Sequence, residues 1–263
     1  MNPLLAGLLG IIQGLTEFFP VSSSGHLALF NLWFGLPSED LTFEILVHLA
    51  TLAAIVTYFR KDWWQLARGI LGKGGDDLPS WIVPYLIVSM IPAAIAGIFA
   101  SDKVLWMNRH PAAIGICLLF MASLLFLGLR AQPSKFNLRQ LPWSIAIAMG
   151  LAQAVAILPG ISRSGITILC GLFLGLEKTA AARFSFLMAV PVIGGAGLLT
   201  AIDLFEKSAQ VSADQWTAYG IGFLSATLSG FFALAFLMRL LEGKRFFHFG
   251  WYCLAIGTIA LFT

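Results

Sequence analysis

The chain has 263 residues, of which 59% are apolar, 13% aromatic and 11% charged. Soluble domains carry about 45–50% apolar and about 25% charged residues, so a soluble enzyme is excluded, and 22 Phe with 8 Trp exclude a disordered chain. A net charge of +3 from 16 Lys+Arg and 13 Asp+Glu is too small and too dispersed for a nucleic-acid partner. What remains is an all-α polytopic membrane protein whose partner is the lipid bilayer.

The first apolar stretch, about 3–19, lacks the basic start and small-residue cleavage site of a signal peptide and is expected to remain in the mature protein. It runs into a Pro-Ser-Gly cluster at 20–25 and resumes near 26–36. Three stretches long enough to cross about 30 Å of hydrocarbon follow near 42–59, 81–100 and 112–129. A second short stretch, 143–158, breaks at Pro159–Gly165 and resumes near 166–176, and three more spans follow near 184–202, 216–238 and 246–262. Trp63, Trp64, Trp81, Trp106 and Trp216 mark span edges as an aromatic belt does. Cys117, Cys170 and Cys253 are far apart, form no CxxC and read as small buried apolar residues.

Both broken stretches predict a helix-loop-helix that dips into the membrane and returns, which is tolerated only inside protein or beside a wet cavity. They match each other. Subtracting 140 superimposes Gln153 on Gln13, Ser162 on Ser22, Ser164 on Ser24 and Gly165 on Gly25. Each is followed by three spans, and a repeat with an odd number of spans inserts the opposite way up from its partner. The expectation is therefore a single membrane domain over 1–263, with six transmembrane helices plus two re-entrant hairpins. It is built as inverted-topology repeats of about 1–130 and 141–263. With Arg163 set aside, twelve basic residues fall on one side of this topology and three, Lys103, Arg109 and Lys207, on the other. The twelve-residue side is cytoplasmic by the positive-inside rule, and both termini face outward.

Glu17, His26, Glu44, His48 and Arg163 sit at membrane depth, where ionisable groups are costly and mark function by default. Gln13 and Glu17 are four apart and share a helix face. Pro20 ends that helix, and the serines with Gly25 can start the next, leaving N–H groups for an anion. Around Gly160, the run Ser162-Arg163-Ser164 offers a second helix start with a guanidinium suited to phosphate. Together these supply a hydroxyl nucleophile, an imidazole, a carboxylate, a guanidinium and oriented N–H groups, the parts that phosphoryl transfer uses. Each also has a plainer reading. A serine at a broken turn serves as an N-cap, Arg163 can pair with a carboxylate to tie two hairpins, and His26 can be a satisfied buried polar group. Glu44 can be interfacial, and His48 lies within a full span. His110, His248 and the Asp76–Asp77 pair read as loop or interface residues.

QGLTEFFPVSSSGH (13–26) and PGISRSGIT (159–167) resemble the two signature motifs of the bacterial undecaprenyl-pyrophosphate phosphatases, a family associated with bacitracin resistance. The resemblance covers essentially the whole chain. It implies an enzyme of the bacterial inner membrane that removes the terminal phosphate of undecaprenyl pyrophosphate at the outer face. The undecaprenyl phosphate so formed is the carrier lipid for peptidoglycan. It also implies a divalent cation, Mg2+ or Ca2+, and leaves a homodimeric assembly open. Carried onto this chain, the family's catalytic positions are Ser23, His26, Glu17 and Arg163. Gln13 and, from the second motif, Ser162, Ser164 and Thr167, together with the turn residues Ser22, Ser24 and Gly160, are the expected substrate-binding residues. Gln13 stands where many members have Glu, which removes one negative charge and leaves Glu17 as the metal ligand. Lipid phosphatases of the phosphatidic-acid type share a Ser-Gly-His and a later Ser-Arg, but their second histidine would fall on Leu169 and no Asp follows where required.

The expected mechanism has Ser23 attacking in line, His26 handling the proton and Arg163 clamping the phosphate. His26 or water as the attacking group is the alternative. The rival function is a transporter or flippase of a lipid phosphate, since inverted repeats with broken helices are transporter architecture. A structural subunit is a third, weaker reading.

Overall fold

The computed structural model describes residues 1–36, 41–73, 78–131, 134–207, 212–243 and 245–263, without the side chains at 41, 196 and 199–207. Asp76 and Asp77, read above as loop or interface residues, Lys244, and the Lys207 side chain lie outside the described part.

The elements are helical throughout, apart from one isolated bridge between Phe136 and Leu176. The chain order is α1 (Pro3–Phe18), α2 (Ser23–Trp33), α3 (Leu41–Tyr58), α4 (Arg60–Ile70), α5 (Ile82–Met107), α6 (Pro111–Gly128), α7 (Trp143–Val155), α8 (Arg163–Phe173), α9 (Lys178–Lys207), α10 (Ala213–Glu242) and α11 (Phe249–Leu261). Every expected apolar stretch forms a helix, displaced by a few residues at most ends. α4 arises between the expected spans at 42–59 and 81–100, where no helix was expected. It bends 73° from α3 and is tied to α9 by an ion pair of Asp62 with Arg183. The last expected span is shortened, because Arg245–His248 forms a 3₁₀ turn before the 13 residues of α11.

α5, α6 and α10 are each long and apolar enough to cross a membrane, and the bent α3–α4 pair qualifies as a fourth. α5 has 26 residues, about 39 Å at 1.5 Å per residue. The outer faces of these helices are apolar: Ile98 is 74%, Phe99 82% and Phe232 68% exposed. A water-soluble surface does not tolerate such contiguous apolar faces, whereas hydrocarbon requires them. The chain is a multi-pass membrane protein.

The interior places the two short hairpins at the centre. α1 packs along α10, α7 along α5, α6 along α11, and α3 between α9 and α10. α1 starts with the Asn2 side chain accepting from Leu4 N and Pro3 in the first turn, an arrangement that uses N–H groups lacking helical partners. It ends at Phe19, extended ahead of Pro20, because the residue before proline is driven out of the helical region. Phe18 is fully buried and meets Phe186 edge-on at 5.7 Å, which stacks at 6.0 Å on Phe59.

Candidate active site

The two hairpin turns interlock. Ser22 caps α2, its Oγ accepting from Gly25 N at 3.3 Å, and Ser162 caps α8 in the same way, accepting from Gly165 N at 3.1 Å. Ser22 Oγ also accepts from Gly160 N of the other hairpin at 3.0 Å. A Cβ on Gly25 would meet Gly160 N at 2.8 Å, and one on Gly165 would meet the Pro20 side chain at 2.9 Å, so both positions need glycine for close approach. Among the described residues Ser22 is the one non-glycine with a positive φ, at 70°. That strained conformation persists because its surroundings enforce it.

The interlocked turns bring Glu17, Ser23 and Arg163 together. Glu17 is 8% exposed. Its Oε2 accepts from Ser23 Oγ at 2.6 Å and from Gln13 Nε2 at 3.1 Å, and its Oε1 accepts from Arg163 Nη2 at 2.5 Å. His48 of α3 places Nε2 3.8 Å from Glu17 Oε2. Its Nδ1–H donates to Glu44 O at 2.7 Å, which fixes the ring with Nε2 toward the carboxylate.

These groups form the polar end of a cavity of about 660 Å³. Glu17, Ser22, Ser23, Ser24, His48, Gln153, Ser162 and Arg163 line it, and its remaining wall is apolar, with Met90, Ala93, Ala94, Gly97 and Ile98 of α5, Ile157, and residues of α9. Ile98 is both part of that wall and largely exposed, so the wall reaches the apolar outer side of α5.

Other expected site residues support from behind. Ser164 Oγ donates to Phe18 O at 3.0 Å, and Thr167 Oγ1 donates to Arg163 O at 2.7 Å. Gly160, with φ +96°, lies close against Ile114 and Cys117 of α6. His26 stands outside the cavity lining. Its Nδ1–H donates to Ser22 O at 2.8 Å, its Nε2 pairs with Tyr252 Oη at 2.8 Å, and the two rings stack. Both nitrogens are thereby engaged away from Ser23.

His48 was visible in the sequence only as a polar residue within a span, with no spacing rule linking it to Glu17. Gln153 was visible only as the repeat mate of Gln13. Neither signal revealed that the side chain reaches the cavity.

What this arrangement can do is nucleophilic: a hydroxyl hydrogen-bonded to a carboxylate, next to a guanidinium, in a largely apolar cavity, has an adjacent base and an anion clamp. The chain is similar to proteins named undecaprenyl-diphosphatase. It is 38% identical to one from Pelotomaculum thermopropionicum over 257 residues, covering 98% of this chain and 95% of that protein. It is 40% identical to one from Geobacter metallireducens over 261 residues, covering 98% and 96%. An undecaprenyl-diphosphatase 2 from Stutzerimonas stutzeri is 39% identical over 265 residues, covering 97% and 95%. Residues 6–259 match the family described as bacitracin resistance protein BacA. With that match over nearly the whole length and both signature turns built into one cavity, the chain belongs to the BacA family.

Proposed function

We propose that this chain is an undecaprenyl-diphosphatase, an integral-membrane hydrolase that converts undecaprenyl pyrophosphate to undecaprenyl phosphate and inorganic phosphate. The observation that carries this reading is the Ser23 hydroxyl donating at 2.6 Å to Glu17 beside Arg163, at the polar end of a cavity with an apolar wall. Ser23 Oγ attacks the terminal phosphorus while the bridging P–O bond breaks, and its proton passes to Glu17. Undecaprenyl phosphate leaves, and water then releases inorganic phosphate from the serine. Arg163 keeps Nη2 on Glu17, and its buried Nη1, which has no partner, is free for phosphate. His26 steadies the start of α2 against α11. The transport alternative lacks comparable support, since flipping a lipid needs no hydroxyl held on a carboxylate.

A divalent cation fits the donors present. Magnesium and calcium take oxygen ligands and are commonly held by one or two carboxylates with substrate phosphates. Glu17 and the buried, unpartnered Gln13 Oε1 would hold such an ion, which would supply neutralisation of phosphate charge. Among the described residues no three His, Cys, Asp or Glu side chains gather into a metal site, so phosphate oxygens would complete the shell.

The topology we infer is six spans with α1–α2 and α7–α8 as re-entrant hairpins, in inverted repeats of about 1–130 and 141–263. Packing supports it, because the partners exchange under the repeat: α1 lies on α10 as α7 lies on α5, and α6 meets its own mate α11. Gly10 abuts the Gly222 carbonyl as Gly150 abuts that of Ser89. The charge split supports an inner-membrane location with periplasmic termini.

The test is phosphate release from undecaprenyl pyrophosphate by the purified, detergent-solubilised protein. Turnover is expected from the native chain, with a loss of about 10³-fold or more in Ser23→Ala, the scale seen when a nucleophile is removed. Absence of release by the native chain would overturn the hydrolase, and substantial turnover by Ser23→Ala would remove the serine nucleophile.

A further inference from the structure

Buried polar atoms in folded proteins are nearly always hydrogen-bonded, and those that are not call for an explanation. Gln153 is 3% exposed, and both ends of its amide, Nε2 and Oε1, are buried without a hydrogen-bond partner. It lines the cavity. The reason it is unpartnered lies in the repeat. Gln13, 140 residues earlier, spends its Nε2 on Glu17 four residues along the same helix, whereas the residue four along from Gln153 is Ile157. The second hairpin keeps the amide and lacks the carboxylate.

We propose that Gln153 binds the lipid-linked phosphate of the substrate, its Nε2 donating to a phosphate oxygen, while Ser23 and Arg163 take the terminal phosphate. This rests on the diphosphatase reading. Position decides which phosphate. Gly150 and Gln153 share the face of α7 that packs on α5, and Ile157, in the turn just past the end of α7, also borders α5: a Cβ on Gly150 would meet Ser89 Cα at 2.8 Å, and one on Gly97 would lie 3.9 Å from Ile157 Cδ1. Gln153 therefore stands where the apolar wall meets the polar end. A prenyl chain lying along that wall, with its terminal phosphate at Ser23, puts the phosphate bearing the chain at that junction. A neutral amide can orient this phosphate without the charge pairing that would retain the monophosphate product.

The experiment compares the native protein with Gln153→Met and Gln153→Glu in detergent, reading kcat, KM, inhibition by undecaprenyl phosphate and by inorganic phosphate, and the Tm of ligand-free protein. For Gln153→Met, KM and the inhibition constant for undecaprenyl phosphate are expected to rise about tenfold, the scale of one hydrogen bond to a charged group. Inhibition by inorganic phosphate, which needs only the terminal subsite, is expected to stay unchanged. Tm is expected to hold or rise, because an unsatisfied buried amide is removed. Gln153→Glu, with a charge of the wrong sign, is expected to raise KM further. Unchanged KM and product inhibition in Gln153→Met would overturn the proposal. So would a fall in Tm with a matching fall in kcat at constant KM, which is what a purely structural role produces. If the native protein releases no phosphate, the diphosphatase reading fails by itself. Gln153 is then judged by whether undecaprenyl phosphate raises the Tm of native protein and not of Gln153→Met: a difference keeps the binding role, and equal shifts overturn it.

Discussion

The two central hairpins are built on one plan and do different work. Positions that set the backbone serve matching ends in both: Ser22 and Ser162 cap their helices, and Gly25 and Gly165 each admit the opposite turn. Positions that carry the chemically active side chains have parted. Glu17 is matched by Ile157, Ser23 by Arg163, and a bonded Gln13 by an unbonded Gln153. On the proposed mechanism the chemistry is thus shared out, with carboxylate and hydroxyl from one half and guanidinium from the other. Neither half holds a complete site.

The largest effect expected from this contrast is at Glu17. Glu17→Gln keeps the shape but removes the group that accepts from Ser23, Gln13 and Arg163, so kcat is expected to fall about 10³-fold, measured as single-turnover phosphate release. Activity within tenfold of native would mean that the two halves do not divide the chemistry as drawn. The two caps come next. Ser22→Ala loses a cap, leaves Gly160 N without its acceptor, and puts alanine at φ 70°; a stability loss of about 2–4 kcal/mol is expected from these together. Ser162→Ala loses its cap and a longer bond to Phe19 O of the first hairpin, 3.3 Å, but orphans no buried N–H of the other turn and should cost about 1–2 kcal/mol. Thermal unfolding of both in one detergent ranks them, and equal losses would show that accepting from Gly160 N gives Ser22 no extra weight over Ser162. The smallest effect is expected at His26. Because its ring is engaged by Ser22 O and Tyr252, His26→Gln should leave kcat within about tenfold, below the range typical of a general acid–base group. A loss of 10³-fold would return the proton-transfer role to His26.

Much of this was legible in the sequence, for a local reason. Proline, glycine and serine obey short-range rules, so Pro20, Ser22, Gly25, Ser162 and Gly165 announced the turns, and the 140-residue offset announced that the turns were related. Charge scarcity singled out Glu17 and Arg163. Properties that depend on a distant partner were not legible. His26 turns to Tyr252, 226 residues away, and no spacing rule reaches that far. His48 joins Glu17 only because α3 lies against α1. No helix was expected between the spans at 42–59 and 81–100, because α4 is rich in charge and its buried Asp62 has its partner, Arg183, on a remote helix.

The bond from Gly160 N to Ser22 Oγ joins residues 138 apart, and this bears on how the chain matures. During synthesis, Glu17 and the serine turn enter the membrane long before Arg163 exists. The nascent first half holds a carboxylate whose counter-ion and a bent serine whose second donor are both still unmade. Such a half-built chain can neither clamp a phosphate nor seal its own turn. The interlocked turns, and the guanidinium on Glu17, can therefore exist only once the second turn has been made.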